Sequence, residues 1–121
     1  MGLVTLNSGD YTFKSIDEAL DIISSKASSK DEIWINFVAK YPSMAVCTNG
    51  EYAAITFFEN EEGDMWLSFD PHNLIEIDFT AGGEEWRPDP DAVITKAHAL
   101  DCIREFLETG KRPENIKWQE L

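Results

Sequence analysis

Residues 43–59 read SMAVCTNGEYAAITFFE. Two runs of small, β-branched and aromatic residues flank Asn49-Gly50, and that dipeptide between apolar runs is the strongest short signal for a tight β-hairpin. Upstream, EIWINFVAK (32–40) sets Ile33, Ile35, Phe37 and Ala39 against Trp34, Asn36, Val38 and Lys40. Such period-two alternation marks a strand with one face buried. Downstream, NEEGD (60–64) closes a second hairpin into DMWLSFD (64–70), and PHN (71–73) joins that run to LIEIDFT (74–80). LVTL (3–6) adds a short first strand before the turn NSGD (7–10). Strands joined by connections this short pair antiparallel, as a meander.

Two helices bracket the meander. In KSIDEALDIISSKASS (14–29), Ser15 and Glu18 have capping-box spacing, and Ile16, Ala19, Leu20, Ile23 and Ala27 make one apolar stripe. AGGEEWRPDPD (81–91) reads as a loop and AVI (92–94) as a last short strand. Thr95 then caps a helix running to Glu108 or Thr109, with Ala97, Leu100, Ile103, Arg104 and Leu107 along one face. Gly110 fits the left-handed position past its end, and Pro113 follows. The expected architecture is α+β: one domain over 1–121, an antiparallel meander sheet of about five or six strands, and two main helices packed mostly on one face.

The chain is strongly acidic, with 23 acidic and 10 basic residues. The imbalance is local. Residues 1–58 carry seven acids and four bases, residues 59–92 eleven acids and only Arg87, and residues 93–121 five of each. Direct nucleic-acid binding relies on Lys and Arg against phosphate, so that class is disfavoured. A negative surface instead suits solubility or a basic protein partner. No apolar run approaches the ~18 residues of a membrane span, and MGLVTLNSGD has no basic, apolar leader pattern. The expected compartment is the cytoplasm, with no membrane contact. A monomer is the favoured state.

Motifs for chemistry are sparse. His98 and Cys102 stand four apart on the last helix, but two ligands do not make a zinc site, so no metal and no cofactor is expected. Cys47 and Cys102 read as buried free thiols, because a single pair makes no disulfide framework. AGGEEW has neither dinucleotide nor Walker spacing. If 64–70 and 74–80 are neighbouring strands, Trp66, Asp70, Glu76 and Asp78 share an outer face. A flat face does not separate two carboxylate pKa values as acid–base catalysis needs, so an interaction surface is the better use of them. The candidate partner-binding residues are Glu59, Glu61, Glu62, Asp64, Trp66, Glu84, Glu85 and Trp86: carboxylates around aromatic anchors, tryptophan being the commonest binding hot spot. A helix lying over that face would make Trp66 a core residue instead.

The C-terminal run FLETGKRPENIKWQEL (106–121) combines a helix stop, a rigid return and a lone tryptophan. Burying Trp118 would anchor the end of the chain, so it reads as core rather than site. In Phe106, Thr109, Gly110, Arg112, Pro113, Ile116 and Trp118, with Gly82-Gly83 and Val93-Ile94 before them, the last forty residues resemble the α+β family numbered first among the immunity proteins of bacterial polymorphic toxin systems. The resemblance implies a non-enzymatic protein that binds and neutralises a cognate toxin domain with a basic groove. That toxin is expected to act on nucleic acid, as a deaminase or nuclease; the very end looks most like deaminase-toxin partners. The alternatives are an acidic adaptor or regulatory module for a basic protein and a small enzyme using Glu76, Asp78 or His72.

Overall fold

The computed structural model describes residues 1–37 and 39–121. Strands β1 (Gly2–Leu6) and β2 (Gly9–Phe13) form a hairpin, and helix α1 (Ile16–Lys26) follows. Next come β3 (Lys30–Phe37), β4 (Ser43–Asn49), β5 (Tyr52–Phe58) and β6 (Met65–Phe69). A small hairpin of β7 (Phe79–Ala81) and β8 (Glu84–Trp86) leads through a one-turn helix at Pro90–Ala92 to β9 (Ile94–Thr95). Helix α2 (Lys96–Thr109) and β10 (Lys117–Glu120) complete the chain. The main sheet runs β10-β6-β5-β4-β3-β1-β2, antiparallel throughout, with β9 paired to β5.

This is the α+β meander with two helices that the sequence implies. The hairpin expected at Asn49-Gly50 forms, but its two-residue loop is Gly50-Glu51. Asn49 is the last strand residue, opposite Tyr52, Val46 stands opposite Ile55, and Gly50 turns the chain at φ 62°. Ser15 accepts the Glu18 amide at 3.1 Å, and the Glu18 carboxylate takes the Lys14 amide at 3.0 Å. At the other helix Thr95 accepts the His98 amide, and Gly110 ends it at φ 69°.

The core lies between the helices and one sheet face. Val4, Phe13, Ile33, Ile35, Met44, Val46, Ile55 and Phe57 come from the strands, and Ala19, Ile23, Ile103 and Phe106 from the helices. Phe57 and Phe106 meet edge to face, centroids 5.7 Å apart. Each fully buried aliphatic or aromatic side chain contributes about 1.5–3 kcal/mol through area removed from water. A buried carboxylate fixes the start of β3. Asp31 accepts the amides of Asn7, Ser28 and Glu32 at 2.8–2.9 Å, so three backbone donors, two in loops and one in β3, are satisfied by one side chain.

Several expectations are corrected. The run 74–80 is not the strand beside β6; only Phe79–Ala81 is extended in a ladder, and it pairs with β8. The Asn73 side chain explains the departure. It donates to the Pro90 and Val93 carbonyls at 3.2 and 2.8 Å, pulling the chain across the sheet face and away from the edge of β6. That edge is taken by β10, with Trp118 opposite Ser68. AGGEEW is accordingly a hairpin rather than a loop, turning at Gly82 and Gly83 with φ 61° and 81°. Ala92 belongs to the short helix, and the strand starts two residues later. NSGD is entered by β1 and left by β2, an extra hairpin at the far edge.

The buried face of α2 is Ala99, Cys102, Ile103, Phe106 and Leu107, whereas Ala97 and Arg104 are exposed. Val38, read as part of the β3 alternation, lies outside the described residues, and Ala39 and Lys40 fall beyond the strand. No helix of the described residues is long and apolar enough to cross a membrane.

Candidate binding face

Because strands alternate, a sheet with helices on one side presents its other residues to the opposite side. Here that second face has continuous rows. Trp34, Ala45, Thr56, Leu67 and Gln119 stand opposite one another across five strands. The next row holds Asn36, Ser43, Phe58 and Met65. Trp34 and Phe58 stack at 5.3 Å with an interplanar angle of 22°, spanning the small Ala45 between them in the sheet order.

The chain after β6 covers only part of this face. Phe79, Val93 and Trp86 close over Cys47 and Ala54 as a second small core, with the Phe79 and Trp86 rings 6.2 Å apart. Two contacts pin the cover down. Glu32 accepts the Gly82 amide with both carboxylate oxygens, and Asn49 donates to the Asp78 carbonyl at 2.8 Å. Between this cover and the β5–β6 end the face stays open, as a groove of about 720 Å³. Its floor is Trp34, Ala45, Thr56, Phe58, Met65 and Leu67.

The groove wall is acidic. Glu32, Glu84, Glu85, Asp89 and Asp91 line it, against one base, Arg87. That base is already committed. Its Nε donates to Asp78 Oδ1 at 2.7 Å and its Nη2 to Oδ2 at 3.1 Å, with Glu76 3.9 Å away. The Arg87 hydrogen bond and charge hold the Asp78 carboxyl below its ordinary range, and Asp78 in turn raises Arg87. Lys30 meets Glu85 at 3.3 Å. Among the described residues Glu84 and Asp89 have no ion-pair partner, and Asp91 Oδ1 is buried with no hydrogen bond at all.

The residues singled out from sequence fall in three places. Glu84, Glu85 and Trp86 lie on β8 and line the groove. Glu59, Glu61, Glu62 and Asp64 flank or form the β5–β6 turn, where Asn60 ties Asp64 and the Glu62 amide. That turn is at the far end of β5 from the Glu32–Gly82 contact, roughly 13–20 Å along the strand at 3.3 Å per residue. Trp66 is on the helix side. It stands opposite Phe57, packs against the main core, and carries the Arg112 guanidinium 3.7 Å above its ring. The structure therefore joins β8 to the groove and separates Trp66 from it. The expected patch of Trp66, Asp70, Glu76 and Asp78 does not form, because 74–78 is not beside β6; Glu76 and Asp78 face Arg87 instead.

Trp34, Thr56, Phe58, Met65 and Leu67 were not singled out, yet they make the floor. The β3 alternation and the Gly50 hairpin together contain the signal, since they put Trp34 and Phe58 on the face away from Ile33 and Ile55. His98 and Cys102, four apart on α2, differ in burial. His98 is exposed, whereas Cys102 is fully buried, its thiol 3.1 Å from Asn115 Oδ1. Both cysteines are free and buried. Burial, reinforced by nearby carboxylates, pushes each thiol up to about 12. Among the described residues no three His, Cys, Asp or Glu side chains are grouped to hold a metal ion.

Comparison with protein-family models gives no match, and comparison with curated proteins gives none either.

Proposed function

We propose that this chain is an immunity protein, which protects by binding a cognate bacterial toxin domain stoichiometrically and catalyses no reaction. The toxin class rests on the resemblance of the C-terminal run. Binding is favoured over catalysis by one observation: an open, apolar sheet face with a carboxylate wall. A toxin acting on nucleic acid, whether deaminase or nuclease, needs cationic side chains around its substrate path, and an acidic inhibitor meets them with complementary charge. Several matched positions have structural work. Gly110 stops α2, Arg112 covers Trp66, and Trp118 packs on Phe57 at 6.1 Å.

Protection demands tight binding; a nanomolar complex corresponds to about 12 kcal/mol. Interfaces of that kind cover about 800 Å² on each partner, with a few buried anchors. The groove and its rim supply a centre for such an area. The test is co-expression with the product of the gene directly upstream. The expected result is rescue of growth and a complex that co-purifies in fixed stoichiometry. A neighbouring product that is harmless alone, or toxic with no rescue and no complex, removes the immunity reading. Capture of unrelated basic proteins in that setting is the result expected of an acidic adaptor.

A further inference from the structure

We infer that the groove on the helix-free face is a receptor for an arginine side chain carried on a protruding segment of a protein partner. This deepens the immunity reading by naming what the face receives, and it rests on that reading only for the identity of the partner.

The floor and wall ask for different things of the same occupant. Trp34 and Phe58 offer a stacked aromatic surface, and Met65 and Leu67 extend it with flexible apolar side chains. A solvated anion or a strongly hydrated ammonium gains little there. Five carboxylates line the wall, and the one guanidinium there is held by Asp78. Glu32 accepts the Gly82 amide and Glu85 meets Lys30, which leaves Glu84, Asp89 and Asp91 without a cationic partner among the described residues. A purely apolar occupant would leave those carboxylates facing it without compensation. Arginine satisfies both. Its guanidinium is planar, weakly hydrated, stacks on aromatic rings and forks onto a carboxylate.

Two details favour this occupant. Asp91 lines the groove with no cationic partner of its own, adding a carboxylate to the wall that a guanidinium would meet. The protein also uses the same chemistry internally, with Arg112 lying 3.7 Å over Trp66 on the opposite face. A volume of about 720 Å³ falls among clefts of roughly 300–1,000 Å³ that seat compact ligands, so a short loop tip fits better than a flat surface. The partner would therefore insert a convex cationic element, and this chain would act as the socket.

The experiment is an amide and indole NMR titration of the full chain with three blocked tripeptides, Ac-Gly-Arg-Gly-NH2, Ac-Gly-Lys-Gly-NH2 and Ac-Gly-Leu-Gly-NH2. The arginine peptide should shift the Trp34 and Trp86 indole signals, leave Trp66 and Trp118 unmoved, and lose affinity as salt rises. Thr56→Arg, which places a guanidinium in the groove from below, should weaken that binding at least tenfold. Glu84→Gln with Asp89→Asn, two surface changes that leave the core intact, should weaken it at least threefold. Equal binding of the lysine or leucine peptide, or shifts centred away from the groove, overturns the inference. With the neighbouring toxin in hand the two readings separate. A toxin bound as tightly by Thr56→Arg and by the double variant as by the parent leaves the immunity reading standing and removes the groove. Arginine-peptide seating without any toxin complex does the reverse.

Discussion

Ser68 and Ile55 meet at the point where β6 parts from β5, and the Ser68 hydroxyl accepts the Ile55 amide at 3.0 Å. The same hydroxyl donates to the Ala92 carbonyl at 2.6 Å. Above this point β5 pairs with β6 through Thr56–Phe58; below it, with β9 through Tyr52 and Ala53. One buried side chain thus bridges the gap between two strands that share an edge. It also tethers the segment that forms one side of the open groove.

Ser68→Ala leaves a buried amide and a buried carbonyl without this partner. An unsatisfied buried polar group costs about 1–3 kcal/mol, so the expected loss is roughly 2–4 kcal/mol in urea unfolding. Hydrogen exchange at the Ile55 amide should rise with it. Full stability in the variant would mean that the hydroxyl is not the bridge.

Trp118 anchors the C-terminal strand by packing on Phe57 and by donating its indole N–H to the Pro113 carbonyl at 2.7 Å. Because the ring is only half-buried, Trp118→Ala should cost about 2–3 kcal/mol, below the ~3–5 of a fully buried aromatic. The β10 amides should lose exchange protection before those of β4. Unchanged β10 protection would show that the strand is held by its ladder to β6 alone.

How far this arrangement could be read from sequence depends on where the deciding contact lies in the chain. The Gly50 hairpin, the Ser15 and Thr95 caps and the Gly110 stop are local, each settled within a few residues, and they were legible. The fate of 74–78 was not. Ile75, Ile77 and Phe79 alternate like a strand, but Asn73 bonds to residues 17 and 20 positions away and draws the segment off the edge. No local pattern reports that. For the face, the charge excess of 59–92 was visible, and the β8 acids do stand at the groove. The alternation that buries Ile33 also turns Trp34 outward, so the floor was present in the pattern; what was missing was knowledge that only part of that face is covered.

Asp78 and Arg87 give a pH signature. The folded carboxyl lies below its ordinary 3.8, first because of the Arg87 hydrogen bond. A depressed acid pKa contributes stability that is fully present above the unfolded value and is lost as pH falls through the folded one. Carboxyl NMR should therefore place the Asp78 midpoint below 3.8, and Arg87→Ala should return it towards that value. Since the pair is exposed, the accompanying change in unfolding free energy is small. An unchanged midpoint in Arg87→Ala would break the assignment.

Cys47 and Cys102 carry the opposite sign. With thiols at about 12 against an ordinary 9.0, the folded state holds protons that the unfolded state releases, so their contribution is lost as pH rises from 9 towards 12. At pH 8 a disulfide reagent should label no thiol in the folded protein and both in denaturant. Rapid labelling of Cys47 in the native state would mean that the cover formed by Phe79 and Val93 opens readily.

On the proposed immunity reading, the two acidic clusters should act on different steps of toxin binding. The turn acids Glu61 and Glu62 are exposed at one end of the groove, and charges at a rim mainly steer encounter. Glu84 and Glu85 line the groove itself, where a bound partner would desolvate them. Glu61→Lys with Glu62→Lys should slow association with the toxin several-fold and flatten its salt dependence, leaving dissociation nearly unchanged. Glu84→Lys with Glu85→Lys should slow association too, and should also speed dissociation tenfold or more. Stopped-flow association with surface-bound dissociation separates the two. Identical kinetics in both variants would take the acidic wall out of the interface and leave the apolar floor to explain any affinity.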